Sequence, residues 1–212
     1  MPQTIYRIGH SLFRVTGQLA FGYRVIHPER LIEDGPALIA SNHASFLDPP
    51  MVGIAYDDPI WYLAHKTLFR HPFFNWLYRH WQSIPVDQDN PDFTSLKTII
   101  KKLREGDRVL IFPEGQRSFD GELLEGQPGV GLVIAKSRAP VQPVRLFGTH
   151  EAMARGRSWP RLRRITLVVG EPIYFTDEEL KAKGKDEYQA LANRVMDAIA
   201  ALELPEGREP GW

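Results

Sequence analysis

The sequence predicts an α/β domain: a mostly parallel central sheet flanked by helices, with an N-terminal amphipathic helix. Three observations lead there. Short apolar runs suited to strands recur from residue 37 onward, helical patterns alternate with them, and the first 26 residues repeat their apolar positions with a helical period. The boundaries fall at 1–30 for the N-terminal helix, 31–175 for the α/β domain and 176–204 for a C-terminal helix packed on the same domain.

The N-terminal helix comes first. Ile5, Ile8, Leu12, Val15, Leu19, Tyr23 and Ile26 recur at spacings of 3, 4, 3, 4, 4 and 3, which is one face of an α-helix. Tyr6, Phe13 and Phe21 widen that face, and Arg7, His10, Arg14 and Arg24 lie among the polar positions. No uncharged stretch approaches the ~20 residues needed to span a bilayer. Two settings remain open: packing on the domain, or lying on a membrane surface with arginines toward anionic headgroups.

The strand runs are Ala37–Ala40, Ile60–Ala64, Ser83–Val86, Arg108–Phe112, Val141–Phe147 and Ile165–Val169. Between them, Asn90-Pro91 starts a helix whose buried face is Leu96, Ile99, Ile100 and Leu103, and Gly106 stops it. A second helix is expected over Gly129–Ser137. A third is expected from about Asp177 to Leu202, with Thr176 as N-cap and acids in the first turn. The tail from Pro205 onward is expected to fray.

Composition narrows the chemistry. The 212 residues are 43% hydrophobic, enough for one domain with a true core. Acids and bases balance to zero net charge, so bulk electrostatics names no partner. The chain has no cysteine, which rules out a thiol nucleophile, a disulfide framework and a cysteine-ligated zinc. The N-terminus shows no apolar signal core followed by a small-residue cleavage site, so no signal peptide is expected.

Two stretches carry candidate chemistry. "SNHASFLDPP", residues 41–50, holds His43 and Asp48. Chance alone supplies about 0.4 such spacings in a chain of this composition, so the spacing by itself proves nothing. In a continuous helix the two side chains would point apart. Pro49 pushes Asp48 out of the α region, so the chain turns between them. Asp48 then either caps a short helix beginning at Pro49 or orients the His43 imidazole for general-base work. "LIFPEGQRSFDGEL", residues 110–123, runs an apolar strand into Pro113, Glu114, Gly115, Gln116, Arg117 and Ser118. Open α/β sheets bind ligands at the carboxyl ends of their strands. Gly115 permits close backbone approach and Arg117 suits a phosphate, though an ordinary turn with a surface arginine fits equally.

Taken together, "NHASFLD" (42–48) and "FPEGQRS" (112–118) resemble the glycerophospholipid acyltransferase family, whose members include 1-acylglycerol-3-phosphate O-acyltransferases. The family's first motif is Asn-His, four residues, Asp; its third is Phe-Pro-Glu-Gly-Thr-Arg-Ser, with Gln116 standing here for the Thr. "HKTLFRHPFFNWL" (65–77), "APVQPV" (139–144) and "VVGEPI" (168–173) extend the resemblance over roughly residues 37–175. It implies acyl transfer from acyl-CoA or acyl-carrier protein to the free hydroxyl of a lysophospholipid, with 1-acylglycerol-3-phosphate foremost. It implies His43 as base and Asp48 as its partner, and Glu114, Gly115, Arg117 and Ser118 as acceptor-binding residues. No metal or further cofactor is expected. The setting implied is cytoplasmic and peripheral to a membrane. Ser45 is read as supporting the turn and not as an acyl carrier, since no GxSxG elbow is present.

The remaining features are weaker. His65, His71 and His80 lie in an aromatic-rich stretch whose spacing fits no common metal motif, so core packing or an acyl-chain wall is expected. Residues 138–164 hold seven arginines, with Trp159 among them, against the single acid Glu151. That short run is too little for nucleic-acid binding and suits anionic headgroups, donor phosphates or plain solvent. One departure from the family stands out: its second motif ends in an arginine, and "IPVDQDN" (84–90) has Gln88 there. The acceptor is therefore either lysophosphatidate held by other cations, such as Arg117 and Lys66, or a zwitterionic lysophospholipid or aminolipid precursor. A hydrolase using the same pair, and a lipid-binding protein without turnover, are the competing classes.

Overall fold

The structure is a computed structural model and describes residues 2–72, 75–76, 81–86 and 93–206. Seven strands are present among them: β1 (Arg24–Ile26), β2 (Ala37–Ser41), β3 (Tyr62–His65), β4 (Ser83–Val86), β5 (Arg108–Ile111), β6 (Val141–Phe147) and β7 (Thr166–Val169). Six α-helices accompany them: α1 (Pro2–Phe21), α2 (Asp48–Gly53), α3 (Phe93–Arg104), α4 (Pro128–Ser137), α5 (Thr149–Met153) and α6 (Lys185–Ala200).

Five strands form the main sheet in the order β1-β7-β6-β2-β5, and every pairing is parallel except β6 with β7. The parallel pair β3-β4 joins it through Trp61, whose backbone exchanges two 2.8 Å hydrogen bonds with Arg108 and Leu110 of β5. The mostly parallel sheet flanked by helices is as expected.

Side-chain alternation divides the core between the two faces of the sheet. Leu38, Ala40, Val109 and Ile111 point to one side, where Val130, Val133 and Ile134 of α4 and Leu191, Val195 and Ile199 of α6 cover them. Ile39 and Leu110 point to the other, against Phe21, Met51, Val52 and Tyr56. A Cβ on Gly131 of α4 would lie 1.9 Å from the Tyr188 carbonyl oxygen, so only glycine lets α6 approach this closely.

Several boundaries move. The N-terminal helix stops at Phe21, because Gly22 turns left-handed at φ 50°. Tyr23 and Ile26, which continue the helical spacing, therefore belong to a turn and to the edge strand β1, an element the sequence did not suggest. The strand expected over Ile60–Ala64 is Tyr62–His65. The helix expected from Asp177 to Leu202 is broken. Thr176 does cap, accepting from the Glu179 backbone N–H, but only a 3-10 turn over Glu179–Lys181. Ala182 then goes extended, and α6 starts afresh where Glu187 accepts from the Gly184 N–H. The Asn90-Pro91 start signal lies outside the described residues; Gly106, at φ 94°, follows α3 as expected.

Helix α1 settles on the domain by the face opposite its longest apolar stripe. Tyr6, Gly17 and Phe21 are buried, His10 Nε2 lies 2.9 Å from the Tyr56 carbonyl, and Arg14 pairs with Asp57 at 2.9 Å. Ile8, Leu12, Val15 and Leu19 face away, between 52% and 80% exposed. No described helix is long and apolar enough to cross a membrane.

Candidate active site

Strand β2 is the hinge of the topology. After β2 the chain passes outward to β3 and β4, returns to β5 beside β2, and then reaches β6 on its other side. The crevice beyond the carboxyl end of β2 is thus the switch point where such sheets place ligands. Register does the rest. Ala40 stands opposite Ile111, so three residues further on, His43 meets Glu114. The contact is direct: the His43 backbone N–H donates to Glu114 Oε1 at 2.9 Å.

At the end of β2, Asn42 uses its side chain as a piece of sheet. Its Nδ2 donates to the Leu146 carbonyl at 3.0 Å, and its Oδ1 accepts from the Leu146 N–H at 2.7 Å. That bidentate bond ties the start of the loop to β6. Asp48 opens α2 but does not cap it with its side chain. The carboxylate turns back into the loop, where Oδ2 accepts from the Ala44 and Ser45 N–H groups at 2.7 Å each. The same oxygen accepts from His43 Nδ1 at 2.8 Å. Asp48 is fully buried, and its Oδ1 has no hydrogen-bond partner among the described residues.

The carboxylate fixes the tautomer, because it can only accept. Nδ1 carries the proton, and Nε2 is left with a free lone pair. The His43 ring also stacks on Phe112, with centroids 3.8 Å apart and planes 13° from parallel. A hydrogen bond at one edge and a ring against one face hold the imidazole, while its side chain stays 15% exposed at the opening. Phe112 was missed as a site residue, although it heads the quoted "FPEG"; its distance in sequence from His43 hid the stack.

The second motif divides into two kinds of residue. Glu114 and Ser118 are buried and engaged in holding the loops. Glu114 Oε2 accepts from the Leu124 N–H at 3.2 Å, so its two oxygens bridge three stretches of chain. Burial pushes its carboxyl up to about 7, against the pull of the two backbone donors and with help from the Asp48 charge. Ser118 donates its backbone N–H to the His43 carbonyl at 2.7 Å, and its hydroxyl donates to Asp120 while accepting from the Gly121 N–H. Gly115 and Arg117 face the opening. Gly115 sits at φ 73°, in the left-handed region. The Arg117 guanidinium stacks 3.5 Å over Phe46, its Nη1 is buried without a partner, and burial and nearby Arg155 pull its pKa below the usual value.

Ser45 is committed elsewhere: its hydroxyl donates to the Met153 carbonyl at 2.8 Å and accepts from the Leu47 N–H. Gln88 and His80 lie outside the described residues. The arrangement can take a proton from a hydroxyl at Nε2, store the charge against Asp48, and offer a cation to an anion a short way off.

The family model described as Acyltransferase matches residues 22–146. A "1-acyl-sn-glycerol-3-phosphate acyltransferase" of Bacillus subtilis is 28% identical over 94% of this chain and 97% of its own length. One of Limnanthes alba with the same description is 34% identical over 81% of this chain, which spans 62% of that relative. A crystal structure of a 1-acyl-sn-glycerophosphate acyltransferase from Thermotoga maritima shares the fold, with a TM-score of 0.69 and 23% identity over 92% of this chain and 81% of that one.

Proposed function

The chain belongs to the acyltransferase family, and from that premise we propose that it transfers a fatty acyl group from acyl-CoA or acyl-carrier protein to the free hydroxyl of 1-acylglycerol-3-phosphate. The observation that carries the reading is the 2.8 Å bond from His43 Nδ1 to the buried Asp48 carboxylate, which leaves Nε2 basic at the opening. The acceptor hydroxyl gives its proton to Nε2 as its oxygen attacks the thioester carbonyl carbon. The imidazolium so formed rests against Asp48. When the carbon–sulfur bond breaks, the imidazolium returns the proton to the departing thiolate. A positioned base of this kind contributes typically ~10²–10⁴-fold.

Arg117 supports a phosphate-bearing acceptor, since its buried and unpartnered Nη1 lacks an anion and planar guanidinium suits phosphate. Gly115 leaves the backbone open beside it. In this reading Glu114 and Ser118 serve the acceptor indirectly, by holding the loop that presents Arg117. The exposed stripe of α1 supports peripheral attachment to the cytoplasmic face of a membrane.

The test is an acceptor screen with labelled acyl-CoA. It compares lysophosphatidate with a zwitterionic lysophospholipid for wild type, His43→Ala and Arg117→Ala. Transfer to lysophosphatidate that His43→Ala abolishes is expected, and Arg117→Ala should narrow the preference for the phosphate acceptor. Preferred transfer to the zwitterionic lipid would move the assignment to that acceptor, as the Gln88 departure suggests. Release of free fatty acid without any acceptor would make the protein a hydrolase.

A further inference from the structure

A band of aromatic and cationic side chains runs from the mouth of this site to the end of α1. It starts at Phe46, three residues after His43 and 55% exposed, and at Phe119, the residue after Ser118 and 71% exposed. The Arg155 guanidinium lies 4.1 Å over the Phe119 ring, as Arg117 lies over Phe46. From there the chain follows the loop 154–164. Ser45 pins its beginning by pairing with Ala154, and the Ile165 N–H pins its end by donating to the Phe21 carbonyl at 2.9 Å, on the last residue of α1. At the middle of the loop Trp159 is 82% exposed. Arg155, Arg157, Arg161, Arg163 and Arg164 form no ion pair among the described residues, and the loop itself contains no acid.

We propose that this loop is a second membrane contact. Trp159 enters the interface of an anionic bilayer, the arginines meet its headgroups, and the bilayer thereby lies against the mouth into which His43 opens. The inference rests on the lipid acceptor proposed above. Charge complementarity and the aromatic content select the occupant. An acidic protein would satisfy the arginines but leave the indole in water, whereas a bilayer interface takes both. Continuity points the same way: Leu19, the last exposed residue of the α1 stripe, lies two positions before the Phe21 that holds the end of the loop.

The full chain is tested on vesicles of equal parts phosphatidylcholine and phosphatidylglycerol at about 0.1 M salt. Brominated lipid should quench the part of the tryptophan emission that Trp159→Phe removes. The double variant Trp159→Ser/Arg161→Glu should lower partition onto the vesicles at least about tenfold. Its kcat/KM toward a short-chain, fully dissolved lysophosphatidate should stay within about twofold of wild type, since neither side chain belongs to the site. Unchanged partition, or no quenching of the Trp159 emission, overturns the proposal. So does a variant that binds vesicles normally but loses activity with acyl-carrier protein and not with acyl-CoA, which would make the loop a docking site for the carrier. If wild type acylates no lysolipid while the variant still loses vesicle binding, the surface stands and the acceptor reading fails.

Discussion

Replacing Asp48 with asparagine separates charge from shape at this site. In the native protein a single buried oxygen, Oδ2, accepts three hydrogen bonds, from His43 Nδ1 and from the Ala44 and Ser45 N–H groups. An asparagine whose amide oxygen occupies that position keeps all three acceptor contacts. Its NH₂ then falls where Oδ1 has no partner, at a cost of about 1–3 kcal/mol for a buried unsatisfied group. The opposite orientation sets the NH₂ against three donors and is worse. The variant therefore folds in the first arrangement with a modest loss of stability. The full negative charge is gone. With charge centres about 4 Å apart and an effective dielectric near 20, a carboxylate stabilises an imidazolium by about 4 kcal/mol. The imidazolium exists in the transition state and not in the resting enzyme, so most of that difference adds to the barrier. The expected fall in kcat is roughly 10³-fold. The assay is labelled acyl transfer to lysophosphatidate at saturating donor, with circular dichroism melting as the control for folding. A folded Asp48→Asn protein within about tenfold of wild type refutes the role of Asp48 as the counter-charge to His43.

Three other outcomes follow from the same coordinates. Gly131→Ala forces a Cβ to within 1.9 Å of the Tyr188 carbonyl, so α4 and α6 must separate, and melting should drop by roughly 6–12 °C for a cost of about 3 kcal/mol; an unchanged melting point refutes the close packing. Glu114 has its carboxyl raised to about 7, so the folded state holds a proton that the unfolded state releases near its ordinary 4.5. Its contribution to stability is present below about 4.5, is lost as pH rises through about 7, and disappears in Glu114→Gln, which denaturant titrations across that range will detect. Leu12→Glu with Leu19→Glu places charges on the exposed stripe of α1, and vesicle binding should weaken without any change in melting; a lower melting point would mean that the stripe packs on protein.

Much of the molecule was written locally. Leu38, Ile39 and Ala40 alternate between the two faces of the sheet, and burial on both faces is why the run is apolar throughout. The turn between His43 and Asp48 was visible because proline restricts the residue before it. The two motifs were legible as motifs because their residue types have few uses outside a site. Other features depended on partners distant in sequence. Periodicity marked α1 as amphipathic, yet it chose the wrong stripe for the inside. Gly17 and Gly9, with no side chains to hold the helix away, let it settle near Ile54 and Trp81, and the richer stripe of Ile8, Leu12, Val15 and Leu19 was left outside. Glu114 looked like a ligand for the acceptor, but the register of β2 against β5 sets it under the His43 backbone, where its oxygens are spent on N–H groups. Sequence alone determined which segments bury apolar surface and which residue types could do the chemistry, because both are properties of neighbours along the chain. Which face of a helix docks, and which polar atoms of a motif remain free, was decided only by the tertiary structure, because each depends on shape and hydrogen-bond partners brought together by strand register.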